Sequence, residues 1–362
     1  MSFRIMLAGG GTGGHVYPLI AVAEEIKRLA PEYHKHVKIC FIGDGDLLAE
    51  SARELGMSHR RVTAPKWRRN EAAKNFLDVL KVPVALLQSV IYVWSFMPDV
   101  MLVKGGYGSF FPALAARIMF IPLVVHESDS VPGKTNLFWG RHARRVFVAF
   151  EHALKYFKVK RAELVGNPIR SALEHLPDHA KAVADFGFPA NKPVVLVTGG
   201  SQGAEAINEV VGLAIAEMSK TFSVLHQCGV ARAGVIMPKQ EIPNYKIFET
   251  FSSEQIAQAY AAADVIVSRA GSAIFEIATV GKPAILIPLD GSAQNHQLVN
   301  AEEFSGHGGI VIPQDNLTPH ILMNQIAHAY EQREKLSALI RAFAKPHAAS
   351  IIAKELLGAS TL

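Results

Sequence analysis

Two glycine-rich turns, one in each half of the chain, each follow an apolar strand pattern and each open a helical one. The first is Gly9-Gly10-Gly11-Thr12-Gly13-Gly14-His15, and the second is Gly199-Gly200-Ser201-Gln202-Gly203-Ala204. A strand that ends in glycines and turns into a helix aims backbone N–H groups, and the positive end of the helix dipole, at one point. That point suits an anion, most often phosphate. Strand and helix patterns alternate through both halves, which predicts parallel sheets covered on both faces. The expected fold class is α/β, with two Rossmann-like domains facing each other across a central cleft that could take a diphosphate-bearing ligand. Gly166-Asn167-Pro168 interrupts the alternation, because proline biases its predecessor away from helix. The expected bounds are 1–165 for the first domain, 166–342 for the second, and 343–362 for a last helix returning to the first.

With 362 residues, 49% hydrophobic and 19% charged, the chain can bury the cores of two domains. Cys40 and Cys228 stand far apart and read as reduced, cytosolic residues, not as a disulfide or metal framework. Met1 to Arg4 lead straight into a strand pattern, so no secretory signal is expected. The net charge of +5 hides an asymmetry: residues 1–168 carry +9 and the remainder −4. A basic half suits an anionic partner, whether nucleic acid, acidic lipid or a phosphorylated acceptor.

No apolar run reaches the ~20 residues that cross a bilayer. The longest, Pro83 to Met97, has Leu87, Val90, Ile91 and Trp94 at helical spacing. It fits a core helix. With Arg60, Arg61 and the Lys66-Trp67-Arg68-Arg69 cluster before it, it also fits a helix lying on anionic lipid.

The first turn satisfies the dinucleotide pattern Gly9-x-Gly11-x-x-Gly14, with Asp44 at the end of the second strand pattern as a ribose acceptor. An NAD-dependent oxidoreductase is therefore one reading, and a catalytically silent nucleotide-binding adapter another. Against the first stand His15 immediately after the glycines and a second anion turn in the other half.

Longer stretches narrow the choice. Gly10 to Pro18, Lys104-Gly105-Gly106-Tyr107, His126-Glu127, Pro132 to Asn136, Val165 to Arg170, Gly199 to Ala204, Ala263 to Gly271, Gly281 to Ala284 and Asn295 to Gln297 with Asn300-Ala301 occur in this order. Together they resemble the MurG family of peptidoglycan N-acetylglucosaminyltransferases over almost the whole chain. The resemblance implies a GT-B fold and transfer of GlcNAc from UDP-GlcNAc to the C4 hydroxyl of the MurNAc unit of lipid I, with inversion, giving lipid II. It implies no metal, no cofactor and no nucleic acid. It places the enzyme peripherally on the cytoplasmic side of the cell inner membrane, where an anionic membrane surface and a pyrophosphate lipid account for the basic first half. The nearest rival is another GT-B lipid glycosyltransferase with a different sugar or acceptor.

The resemblance also assigns roles. Thr12, Gly13, Gly14, Asp129, Arg170, Ser201, Ser252, Ser272, Glu276 and Gln297 become donor contacts, with Glu276 accepting from the ribose hydroxyls. Gly105, Gly106, Tyr107 and Asn136 become acceptor contacts. His15 is the candidate base, since imidazole titrates near neutrality, and Glu127 is its alternative. Two departures stand out. The family continues His-Glu with Gln-Asn, where this chain has Ser128-Asp129. The segment from Gly271 to Glu276 is one residue shorter than the family pattern.

Overall fold

β1 (Phe3–Gly10) runs buried from Ile5 to its end, on both faces of the sheet. A strand covered on both sides needs this continuous apolar run, and parallel pairing supplies the cover through its crossover helices. The computed structural model describes residues 2–65, 78–158, 160–200, 203–230 and 242–359. Two units divide it: Met1–Ile169 with Pro346–Leu362, and Arg170–Lys345.

In the first unit β1 is followed by α1 (Gly13–Leu29), β2 (Val37–Asp44), α2 (Asp46–Glu54), β3 (Ser58–Arg61) and α3 (Lys81–Phe96). Then come β4 (Val100–Val103), α4 (Tyr107–Ile118), β5 (Leu123–Glu127), α5 (Lys134–Gly140), β6 (Arg145–Val148) and β7 (Ala162–Leu164). Its seven strands pair in parallel in the order β3-β2-β1-β4-β5-β6-β7. Successive strand residues point to opposite faces. Ile5, Leu7, Phe41 and Leu102 accordingly pack under α1, while Met6, Ala8, Cys40 and Met101 meet α3 and α4 on the other face. The last helix, α13 (Ala348–Leu357), lies against α1, with Ile352, Ala353 and Leu356 in its core cluster.

In the second unit α6 (His179–Asp185) leads to β8 (Val194–Thr198), α7 (Glu205–Thr221), β9 (Ser223–Gln227), β10 (Tyr245–Phe248) and α8 (Ser253–Ala262). β11 (Val265–Ser268), α9 (Ala273–Val280), β12 (Ala284–Leu286), α10 (His296–Ser305), β13 (Ile310–Val311), α11 (Pro319–Glu331) and α12 (Arg333–Phe343) complete it. Its six strands are again parallel, in the order β10-β9-β8-β11-β12-β13.

The helical patterns that follow the first and third glycine turns, Val16–Leu29 and Phe111–Ile118, are shorter than the helices themselves: α1 starts at Gly13 and α4 at Tyr107. The glycine turns are that tight, and they bring His15 and Tyr107 into first helical turns. α3 resolves the ambiguity of its stripe. Its core-facing seam is Ala85, Ser89 and Val93, while Leu87, Ile91 and Trp94 point outward at 62%, 49% and 68% exposure. The Lys66–Arg69 cluster lies outside the described residues.

Candidate active site

Each sheet reverses its winding once, between β1 and β4 in the first unit and between β8 and β11 in the second. At such a point the crossovers leave on opposite faces, and the strand C-termini open the crevice where α/β proteins bind ligands. In the first unit this edge carries Gly11–His15 after β1 and Gly105–Tyr107 after β4. In the second it carries Gly199-Gly200 after β8, Gly203-Ala204 before α7, and Arg269–Glu276 after β11.

The first turn needs glycine for a steric reason. Gly10 has φ +134°, and a Cβ there would lie 2.1 Å from the Asp44 carbonyl oxygen. Gly11 N donates to that same oxygen at 3.1 Å, holding the turn against the end of β2. Thr12 is the exposed N-cap of α1 and makes no side-chain cap bond. His15 is half-buried in the first turn, and a Cβ built on Gly106 would lie 3.9 Å from its imidazole. Tyr107 follows Gly106 and is half-exposed.

Beneath this edge lies a buried polar cluster. The Glu127 carboxylate, 3% exposed, accepts from Asp129 N at 2.9 Å, Gly133 N at 3.0 Å and Asn136 Nδ2 at 2.9 Å. Burial and the neighbouring Asp129 push its pKa up from the usual carboxylate range. Lys104 Nζ donates to His126 Nδ1 at 2.6 Å, to Asn167 Oδ1 at 3.1 Å and to Ser128 Oγ. Burial pulls the Lys104 pKa down, opposed by the charges of Glu127 and Asp129. Burial and the Lys104 ammonium hold His126 neutral, with its pKa well below the ordinary histidine value. Its Nδ1 then accepts from Lys104 while Nε2–H donates to the Gly166 carbonyl at 2.9 Å.

In the second unit Glu276 sits in the first turn of α9, where the helix dipole favours a carboxylate. Arg170 grips it in a fork, Nε to Oε1 at 3.0 Å and Nη2 to Oε2 at 3.5 Å, and Tyr260 OH donates to Oε2 at 3.1 Å. Burial and Glu276 raise the Tyr260 pKa well above its ordinary value, so the phenol stays a donor. Gln297 lies in the first turn of α10 and accepts from Leu289 N at 2.9 Å. The turn before it holds two consecutive left-handed residues, Gln294 at φ 57° and Asn295 at φ 55°. Backbone strain of this kind clusters at ligand sites. Ser272 is the N-cap of α9. Ser252 caps α8, its Oγ accepting from Gln255 N at 3.2 Å. Ser201 lies outside the described residues.

Known proteins converge on one group. The glycosyltransferase family 28 N-terminal domain matches residues 5–148, and the family 28 C-terminal domain matches 194–355. An enzyme of Clostridium tetani is 32% identical over 92% of this chain and 92% of its own length. One from Legionella pneumophila is 33% identical over 94% and 93%. Both bear the name UDP-N-acetylglucosamine–N-acetylmuramyl-(pentapeptide) pyrophosphoryl-undecaprenol N-acetylglucosamine transferase. The chain belongs to the MurG family. The crystal structure of Acinetobacter baumannii MurG superposes with a TM-score of 0.71 at 24% identity, covering 98% of this chain and 99% of that one. A UDP-GlcNAc 2-epimerase of Neisseria meningitidis, bound to UDP-GlcNAc, shares the fold with a TM-score of 0.68 at 15% identity. The GT-B fold follows, and membership in a glycosyltransferase family displaces the oxidoreductase reading.

Within this MurG-family frame, the first-unit edge brings together Thr12, Gly13, Gly14, His15, Gly105, Gly106 and Tyr107. Asn136 does not reach that surface: it is buried, and its Nδ2 spans Glu127, the His126 carbonyl at 3.2 Å and the Lys104 carbonyl at 3.5 Å. Glu127 is equally enclosed, and Asp129 is its half-buried neighbour. Arg170 and Glu276 prove to be partners of one another. Lys104, Asn167 and Tyr260 were assigned no role from sequence. Lys104 carried a signal, since a lysine between a buried strand and a glycine turn has no solvent to point into. Tyr260, in an alanine-rich helix, carried none. Among the described residues, no group of three or more His, Cys, Asp or Glu is placed to hold a metal ion.

Proposed function

We propose that this chain transfers GlcNAc from UDP-GlcNAc to the C4 hydroxyl of the MurNAc unit of lipid I, with inversion, forming lipid II for peptidoglycan synthesis. The near-full-length identity to enzymes of that name carries the reading. The acceptor oxygen forms the new bond to the sugar C1 as the C1–oxygen bond to the diphosphate breaks, and UDP leaves with the electron pair. His15 takes the hydroxyl proton. Its place in the first turn of α1, beside Gly106, supports that role over Glu127, whose oxygens are occupied by three N–H donors. Glu127 and Asn136 hold the loop beneath. In the second unit, Glu276 receives the ribose hydroxyls, and the 3.5 Å arm of Arg170 is the contact a hydroxyl replaces most readily. The start of α7 stabilises the leaving diphosphate through its helix dipole.

The same reading puts the enzyme peripherally on the cytoplasmic side of the inner membrane. No helix among the described residues is long and apolar enough to cross a membrane. Support comes from α3, whose outward face presents Val84, Leu87, Ile91 and Trp94, with Leu80 before it. Phe120, after the adjacent α4, is also exposed. A large apolar stripe in water marks an interaction surface, and the +9 of the first half suits anionic lipid.

The test is turnover of a panel of UDP-sugars with a lipid I analogue. Release of UDP with UDP-GlcNAc alone in the panel, and formation of a β-linked disaccharide, is the expected result. Preference for another sugar would move the chain to a different lipid glycosyltransferase activity.

A further inference from the structure

Lys104 is a lysine where a strand end would ordinarily be apolar. It follows β4 directly, is 1% exposed, and its backbone N–H extends the ladder to the Ala8 carbonyl at 2.9 Å. Its three side-chain contacts come from two other segments: His126 and Ser128 from the end of β5, and Asn167 from the chain just before the second unit. An ammonium has three donors and no acceptor, so these three acceptors match the charged form one for one. His126 and Ser128 are the two sequence neighbours of Glu127. Among the described residues, the charged groups that act on this cluster are Glu127 and Asp129, beside neutral His126, and His15 of α1 lies across Gly106.

We propose that Lys104 is a positioning residue for the transferase site. By gripping both neighbours of Glu127 and the Asn167 segment, its ammonium holds the 126–129 loop beneath the Gly105-Gly106 turn and balances the charges of Glu127 and Asp129. Lys104 serves both residues that follow Glu127, Ser128 by hydrogen bond and Asp129 by charge. Without the ammonium, buried Glu127 keeps the charge of half-buried Asp129 beside it and loses the cation that opposes it, which favours its protonated form. A protonated Glu127 accepts from its three N–H donors more weakly and brings a proton that needs an acceptor of its own, and the loop loosens below His15.

Three variants test this: Lys104→Met, Asp129→Asn and the double substitution. The first readout is a carboxyl carbon NMR titration of Glu127 in the free protein, assigned with Glu127→Gln. The Glu127 midpoint should rise by about one to three pH units in Lys104→Met, fall in Asp129→Asn and lie between them in the double variant, since each removes one charge acting in a known direction. The second readout rests on the proposed transferase reading: the acid limb of kcat/KM for a lipid I analogue should move the same way, and in Lys104→Met the KM for UDP-GlcNAc should stay unmoved. An unchanged Glu127 midpoint in folded Lys104→Met would overturn the proposal. Should that variant not fold, a midpoint in Asp129→Asn that stays put or rises would do so instead. A wild-type protein that titrates as expected but never turns over lipid I would refute the transferase reading and leave Lys104 its place.

Discussion

Replacing Leu87 and Ile91 by serine and Trp94 by alanine should strip most of the apolar membrane contact from α3. Fully removing a side chain of this size from water is worth about 1.5–3 kcal/mol. The three are exposed by 62%, 49% and 68% in the free protein. Scaling each by its exposed fraction puts the sum at about 3–5 kcal/mol, so the lower bound corresponds to a roughly hundredfold loss of partitioning. The fold should survive, because Ala85, Ser89 and Val93 face the core and stay untouched. Co-sedimentation with phosphatidylglycerol vesicles measures the partition, and UDP calorimetry checks the fold. Salt should weaken wild-type binding through the basic half, since exposed charges are screened beyond about 10 Å at 0.1 M. It should leave the apolar increment between wild type and variant largely intact. A folded triple variant that partitions like wild type would refute the argument and make α3 a docking face for something other than lipid.

His15→Ala should lower turnover by about 10²–10⁴ with little change in UDP affinity; near wild-type turnover at saturating acceptor in steady-state kinetics would remove it as the base. Glu276→Ala should weaken UDP by calorimetry, because each hydrogen bond to a charged group is worth about 1.5–3 kcal/mol. Tyr260→Phe should weaken UDP less, through a freer Glu276 carboxylate, and equal affinity in all three proteins would reject the ribose role. Turnover should withstand EDTA, the helix start supplying the field for the leaving diphosphate; a complete, metal-reversible loss would expose a cation site.

The strands along the centre of each sheet were legible because burial on both faces writes itself locally as an unbroken apolar run. Val100–Val103 and the valine and leucine residues of Val194–Thr198 are such runs, buried throughout. The edge strands were not. β3 is Ser58-His59-Arg60-Arg61, exposed at three of its four residues, and nothing in it alternates or clusters. Such a segment becomes a strand only because β2 offers it a row of backbone partners. β13, two residues long, was invisible for the same reason.

The glycine turns, the alternation of strands with helices and the family motifs were in the sequence by itself, because each depends on φ, on side-chain period or on residue identity over a few neighbours. Tertiary structure decided whatever depends on who meets whom. It turned Leu87, Ile91 and Trp94 of α3 outward and set Ala85, Ser89 and Val93 against the core, with Val90, Tyr92 and Phe96 partly buried beside them. It enclosed Glu127 and Asn136, joined Arg170 to Glu276 across more than a hundred residues of chain, and drew Lys104 into a cage of acceptors from distant segments. A buried charge is tolerated only where its partners are, and those partners are chosen by the fold and not by proximity along the chain.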